Sequence, residues 1–142
     1  MNNKGFTLIE IIAVIGLLAL VATMVGSSLI SMNQKQNQKN YDNYKETIAN
    51  AGCLYFEGKK NKMYSSYADA VTDNPERKVE RSYCIDSRHT CYISVGTLID
   101  NGFIAEDMID PTTQVRVKRD EVAVVQYSKG RKTCCYESCL PE

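Results

Sequence analysis

The chain has 142 residues, with 17 basic and 17 acidic side chains and a formal net charge of zero at pH 7. This length supports one modest domain with a short additional segment. Basic and acidic residues are balanced along the chain, with three and four in residues 6–58 and thirteen of each in residues 59–142. Neither part is therefore basic enough to predict a dedicated nucleic-acid surface.

The first predicted element is a long apolar helix. Residues 11–30 contain no formal charge, and about twenty helical residues span roughly 30 Å, the thickness of the hydrocarbon core of a bilayer. A secretory signal peptide has a shorter apolar stretch and a small-residue cleavage site, for which Gly26-Ser27-Ser28 is a weak match. We therefore predict a membrane-crossing helix. One carboxylate, Glu10, lies at its start, where a charge is costly unless something compensates it.

The residues around Glu10 carry a family resemblance. Lys4 and the string Gly5-Phe6-Thr7-Leu8-Ile9-Glu10, followed by the apolar run, resemble the class III signal of type IV prepilins and of the related pseudopilins. The resemblance implies that a membrane-embedded prepilin peptidase cuts after Gly5 on the cytoplasmic side, and that Phe6 becomes the N-methylated first residue.

The resemblance also implies a role for Glu10 in assembly, facing the N-terminal amine of a neighbouring subunit. A carboxylate and an amine attract far more strongly at low dielectric than in water, so this pair would favour one stagger between subunits. The alternative is an interfacial carboxylate that snorkels to water.

The second half of the helix is amphipathic. Its apolar residues recur at steps of three and four, on one helical face: Tyr41, Tyr44, Ile48, Ala51 and Tyr55. Gly58 predicts the end of the helix, and Lys59-Lys60-Asn61-Lys62 an exposed loop. We predict that the stripe packs against a head domain and is not an aromatic binding face.

The middle of the chain gives shorter patterns. Residues 64–71 are compatible with a short helix, residues 73–76 with a turn, and residues 79–92 with a hairpin-like loop. Ser94 is a suitable N-cap for a short helix through Asp100, which Asn101-Gly102 would end. Residues 95–104, followed by Asp110-Pro111-Thr112-Thr113, also resemble a stretch in the heads of pilin-like proteins from Gram-positive bacteria.

The C-terminal segment carries the clearest β pattern. Residues 122–127 predict a strand, residues 128–131 a turn, and residues 132–137 the partner strand. An antiparallel sheet on the amphipathic half-helix gives an α+β fold, which the resemblance makes a type IV pilin-like lollipop. The predicted organisation is a removable leader at 1–5, a transmembrane and filament-core half-helix at 6–30, an amphipathic half-helix at 31–58 and a disulfide-stabilised head at 59–142.

The sequence has six cysteines: Cys53, Cys84, Cys91, Cys134, Cys135 and Cys139. In a head outside the membrane, an even number predicts disulfides, for which six cysteines allow fifteen connectivities. Cys84 with Cys91 would close a short loop and is the preferred pair. In a strand, Cys134 and Cys135 point to opposite faces, so one can turn to Cys53 and the other to Cys139. The helical period places Cys53 roughly 140° from the centre of the apolar stripe, which leaves its partner open.

We predict no catalytic, cofactor or metal site. There is no Cys-x-x-Cys, and His89 is the single histidine, so disulfides are favoured over a zinc site or a Cys/His nucleophilic pair. The chain also lacks a phosphate-binding glycine loop and His-Glu-x-x-His. The basic clusters at 116–119 and 129–132 have acidic neighbours such as Asp120 and Glu121, which favours a solvated face over contact with DNA.

These features predict a structural subunit of a type IV pilus or pilin-like extracellular filament. It would be a single-pass membrane protein with its head outside before assembly, and part of a cell-surface filament afterwards. The resemblance implies as partners other pilins, the prepilin peptidase, and an assembly platform with its ATPase. One alternative is a pseudopilin of a type II secretion or competence system, where nucleic acid becomes a partner in DNA uptake. An alternative of another class is a monomeric membrane-anchored binding module.

Overall fold

The structure, a computed structural model, describes the backbone of residues 7–86 and 90–139, and their side chains except those of residues 24–30 and 86. The predicted leader at 1–5, Phe6 and His89 lie outside the described residues. The chain divides into two compact units, Met1–Lys39 and Asn40–Glu142.

One helix, α1, spans Leu8–Glu57. In the first unit the large apolar side chains that the structure describes are exposed, from 50% at Ile11 to 79% at Leu8. Within the residues that the structure describes, no helix is both long enough and apolar enough to span a bilayer. The span predicted for residues 6–30 is therefore not confirmed.

The second unit contains a five-stranded antiparallel sheet, which confirms the α+β prediction. The strands are β1 (Lys62–Tyr64), β2 (Lys78–Glu80), β3 (Thr90–Ser94), β4 (Val122–Ser128) and β5 (Arg131–Tyr136), in the order β2-β1-β3-β4-β5. Three short helices connect them: α2 (Tyr67–Val71), α3 (Arg81–Asp86) and α4 (Val95–Asp100). A 3₁₀ turn covers Pro75–Arg77.

The core lies on both faces of the sheet because successive strand residues point to opposite sides. On one face, Ala123 and Val125 pack against the apolar stripe of α1. On the other, Val122 and Val124 pack with Tyr64 and residues of α2. Four stripe residues are buried and Tyr41 is half-buried, which confirms that the stripe packs in the core: Tyr44, Ile48, Ala51 and Tyr55.

The elements with strong local signals were predicted correctly. The strands of residues 122–128 and 131–136 are joined by Lys129-Gly130, whose φ angles of 51° and 79° are those of a tight hairpin turn. Helix α4 begins after Ser94, whose Oγ accepts a hydrogen bond of 3.1 Å from the Thr97 N–H.

The hairpin-like loop predicted for residues 79–92 is wrong. β1 lies between β2 and β3 and pairs with both, while α3 occupies part of the connection. In α3, Cys84 is buried and Ile85 is half-buried, so this segment contributes to the core as a helix. The boundaries at the preceding loop also differ: Lys62 opens β1, and α2 begins only after its N-cap, Ser66.

Gly52 marks a close approach of α1 to the sheet. A Cβ atom at this position would lie 2.6 Å from the Ala123 Cβ, well inside van der Waals contact. Only glycine therefore allows this helix-to-sheet distance without a shift of the packing.

We expect Gly52→Ala to lower the free energy of unfolding of the second unit by about 1–2 kcal/mol. Because the clash is with the short Ala123 side chain, overpacking is expected to cost about 2–3 kcal/mol, the upper part of its usual range, and the better helix propensity of alanine returns about 1 kcal/mol. Urea denaturation of the full chain in detergent micelles measures the change. The matched control is Gly16→Ala in the same helix, where an added Cβ meets no atom within 4 Å. A Gly52→Ala midpoint equal to or above that of the parent would contradict the prediction.

Candidate functional site

The first candidate site lies at the start of α1. Thr7 immediately precedes the helix, and Glu10 lies in its first turn. Glu10 Oε2 accepts hydrogen bonds of 2.9 Å from both the Thr7 backbone N–H and the Thr7 hydroxyl. The first N–H groups of a helix lack helical partners, and a Glu three residues after a Thr satisfies one of them as a capping box.

This contact was missed in the sequence analysis, which assigned Glu10 to a neighbouring amine or to water. The Thr-x-x-Glu spacing at the head of an apolar run is the signal that predicts it. Both hydrogen bonds use Oε2, and Oε1 accepts none from a residue that the structure describes. The carboxylate is thus oriented by its own helix and retains acceptor capacity for an incoming cation.

The surroundings of Glu10 are uncovered apolar surface. Leu8, Ile9 and Ile12 are 79%, 75% and 61% exposed. An exposed apolar surface of this kind marks a site of interaction with protein, membrane or ligand. A carboxylate that is buried in such a contact, away from water, needs a partner of opposite sign.

The family comparison matches this region. Residues 1–26 fit the family model described as the prokaryotic N-terminal methylation motif. The chain carries the type IV prepilin signature. Comparison with curated proteins and with solved structures gives no match.

The prepilin signature is typical of structural proteins and not of enzymes. It implies processing by a prepilin peptidase and a role in pilin assembly. Its cleavage residues, Gly5 and Phe6, lie outside the described part of the chain, whereas Glu10 lies within it. Among the residues that the structure describes, no group of three or more His, Cys, Asp and Glu side chains is placed to hold a metal ion.

The six cysteines lie in the second unit and form three disulfides, Cys53–Cys134, Cys84–Cys91 and Cys135–Cys139. The preferred pair from the sequence, Cys84–Cys91, is among them, and both its cysteines are fully buried. Cys53–Cys134 joins α1 to β5 across 81 residues of sequence. Adjacent cysteines of one strand therefore anchor two different parts of the chain.

The register of β5 explains this division. Cys134 pairs with Val125, whose side chain faces α1, and Cys135 pairs with Val124, whose side chain faces away. Strand alternation therefore sends Cys134 to the helix and Cys135 to the opposite face, where it meets Cys139. Cys53 reaches its partner from the flank of the helix because β5 is the edge strand on that side.

A second polar cluster surrounds Asp73. Its Oδ1 accepts hydrogen bonds from the hydroxyls of Tyr64, Ser94 at 2.9 Å and Thr97 at 3.2 Å, and Lys78 Nζ lies 3.9 Å away. The cluster links β1, β2 and the start of α4 to the turn after α2. Since Ser94 is fully buried and caps α4, its hydroxyl is committed to structure and is not a nucleophile.

Acid is expected to weaken this cluster. Partial burial on its own raises the pKa of Asp73, but the hydrogen bonds from Tyr64, Ser94 and Thr97 and the charge of Lys78 bring it below the ordinary value of 3.8. A lowered folded-state pKa stabilises the fold above the unfolded-state value, and this contribution is lost as the pH falls through the folded-state value.

The test is Asp73→Asn, because asparagine tolerates the φ angle of 48° at this position. We expect the variant to be less stable than the parent at pH 7, and the difference to shrink as the pH falls below about 4. Urea midpoints across the pH range measure it. The matched control is Asp120→Asn at an exposed position, and its urea midpoints should follow those of the parent across the pH range. A gap between Asp73→Asn and the parent that is independent of pH would contradict the role of the charge.

Proposed function

We propose that this chain is the structural subunit of a type IV pilus-like extracellular filament. The observation that carries the proposal is the prepilin signature at residues 1–26, which ends within a helix whose first turn holds Glu10. Assembly of subunits, without chemical turnover, is the activity that such a chain performs.

Processing comes first in this proposal. A prepilin peptidase removes residues 1–5 by cutting between Gly5 and Phe6, and Phe6 is then N-methylated. Residues 6–30 hold the precursor in the membrane with the head outside, residues 31–58 continue the helix, and residues 59–142 complete the head. The lollipop arrangement expected from the sequence is part of this proposal.

Assembly transfers the apolar helix from lipid into a filament core. Apart from Glu10, the exposed side chains from Leu8 to Val21 are uncharged and mostly apolar, with large apolar residues on all sides of the helix, which supports burial among several neighbouring helices. Glu10 pairs with the N-terminal amine of a neighbour and fixes the stagger. Other pilins, an assembly platform and its ATPase are the partners in this step.

The second unit supplies the outer surface. Three disulfides in a unit of this size support an oxidising location outside the cell, because cysteines stay reduced as free thiols in reducing compartments. Each disulfide stabilises a small domain by roughly 2–4 kcal/mol, which suits a surface exposed to proteases.

Intact-mass and N-terminal analysis tests the proposal on protein recovered from cells with their own processing machinery. We expect a chain that begins at N-methylated Phe6 and gains mass on reduction by the hydrogens of three disulfides. A chain that still begins at Met1 would refute prepilin processing and would leave a membrane-anchored binding module as the remaining function.

Shearing separates the two filament functions. A pilus yields long filaments in the supernatant of sheared cells, whereas a pseudopilin of a secretion or DNA-uptake system forms short filaments that stay with the envelope. Electron microscopy of the sheared fraction distinguishes them, and we expect long filaments.

A further inference from the structure

An open groove of about 550 Å³ lies on the second unit, lined by α1 and by β5 with the residues that follow it. Tyr41 and Tyr136 supply aromatic walls, and Glu46 and Glu137 supply carboxylates. Lys45 also lines the groove, but its Nζ lies 3.4 Å from the Asp42 carboxylate and over the Tyr41 ring. The groove is therefore aromatic and acidic, a combination that suits an arginine or lysine side chain.

More negative charge lies beside this groove. Glu121 accepts a hydrogen bond of 2.6 Å from the Tyr44 hydroxyl, and the Tyr44 ring packs edge-on against Tyr136. Burial, followed by the charges of Glu121 and Glu137, raises the pKa of the Tyr136 hydroxyl. Three carboxylates thus contribute to a negative potential in and around the groove.

The opposite charge is found at the tip of the β4–β5 hairpin, Lys129-Gly130-Arg131. All three residues are exposed. Lys129 and Arg131 form no ion pair with a residue that the structure describes, whereas the neighbouring Lys132 pairs with Glu57. The tip therefore presents two cations, one in the two-residue turn and one at the first residue of β5.

The tip and the groove of one molecule cannot meet. Arg131 begins β5 and Tyr136 ends it, and five steps of about 3.3 Å separate them by roughly 17 Å. A cationic tip and an acidic groove on opposite ends of one strand are complementary only between copies. A contact of this head-to-tail kind repeats from copy to copy and generates an open filament unless the rotation closes a ring.

We propose that the β4–β5 tip of one subunit docks into the α1–β5 groove of the next subunit in the filament. Arg131 enters between Tyr41 and Tyr136 and pairs with Glu46 and Glu137. The occupant is a second copy of this chain, chosen for the charge complementarity of the two surfaces. The contact rests on the proposed filament function and adds to it a specific interface between heads, separate from the helical core.

A charge swap in the full-length chain tests the contact in cells that process and assemble it. Arg131→Glu and Glu46→Arg are each expected to lower the yield of sheared filaments about tenfold, because a like-charge contact at an interface is strongly unfavourable. The double variant restores an opposite-charge pair with reversed polarity, and its yield is expected to return to within about threefold of the parent. Both positions are exposed, and the amount of processed precursor in the membrane should be unchanged in all variants.

The matched control is Arg77→Glu, which makes the same charge change at an exposed residue beside β2, at the other edge of the sheet. Its filament yield should equal that of the parent. Normal yields from either single variant, or a double variant no better than the singles, would overturn the contact while the filament function stands. If the unaltered chain forms no filament, the proposed function fails and the contact with it.

Discussion

Glu10→Ala is expected to reduce filament incorporation by at least about a hundredfold while the processed precursor accumulates normally in the membrane. Removing one partner of a buried ion pair costs about 3–5 kcal/mol because the other charge is left uncompensated, and each 1.4 kcal/mol is a factor of ten. Quantifying the subunit in sheared filaments and in membranes by immunoblot measures both pools. Normal filaments from this variant would contradict the assembly role.

Two further variants separate the assembly role of Glu10 from its contact with Thr7. Glu10→Gln keeps an oxygen acceptor for the Thr7 N–H but removes the charge, whereas Thr7→Val removes the hydroxyl donor and leaves the charge. If the charge serves assembly, the glutamine variant behaves like the alanine variant and Thr7→Val assembles. If the capping box alone matters, the glutamine variant assembles well, since loss of a cap costs only about 0.5–2 kcal/mol.

Replacing both Cys53 and Cys134 with serine is expected to cause the largest loss of stability among the disulfides. The disulfide closes a loop with a sequence separation of 81, and constraining a loop of that length in the unfolded chain corresponds to about 4.5 kcal/mol. Since the chain has no tryptophan, tyrosine fluorescence during urea denaturation of the full chain in detergent micelles measures the change.

The matched control is the paired replacement of Cys135 and Cys139, which are four residues apart and correspond to about 2 kcal/mol by the same relation. Replacing both cysteines of a disulfide leaves no unpaired thiol that could exchange with a neighbouring disulfide. Cys84–Cys91 is a poorer comparison because both cysteines are fully buried and serine would also leave hydroxyls in the core. Equal losses from the first two pairs would show that loop length does not govern stability here.

The fold was predictable where the signal is local. Three features depend on patterns among residues that are close in sequence: the stripe of α1, the capped helix α4 and the Lys129-Gly130 hairpin. The order β2-β1-β3 depends instead on contacts distant in sequence. A three-residue strand such as β1 carries too few residues for a period, and its place between β2 and β3 follows from Met63 and Tyr64 filling opposite faces of the core.

The candidate site was also predictable only in part, with its main residue but not its contacts. The sequence pointed to Glu10 because a carboxylate beside an apolar run is unusual, but the bond to Thr7 needed the first turn to be considered as a cap. The angular position of Cys53 made its partner uncertain. That angle was measured from the centre of the apolar stripe alone, whereas Gly52 brings the helix close to β4 and the edge strand β5 reaches its flank. The sequence marked Asp73 only as part of a turn. Its place at the centre of a polar cluster gave no signal, since its partners come from separate elements.

The Cys53–Cys134 bond also governs how the chain responds to tension. A force that pulls along α1 reaches Cys53 and passes through the covalent bond directly to Cys134. When the force leaves the head at Cys134 or after it, the chain between these two positions carries no load even if its packing is lost. If this segment were fully extended, its 81 residues would lengthen the subunit by roughly 280 Å. The segment cannot extend in this way while the disulfide is intact. An oxidised subunit is therefore nearly inextensible through its head, whereas a reduced one can lengthen many-fold.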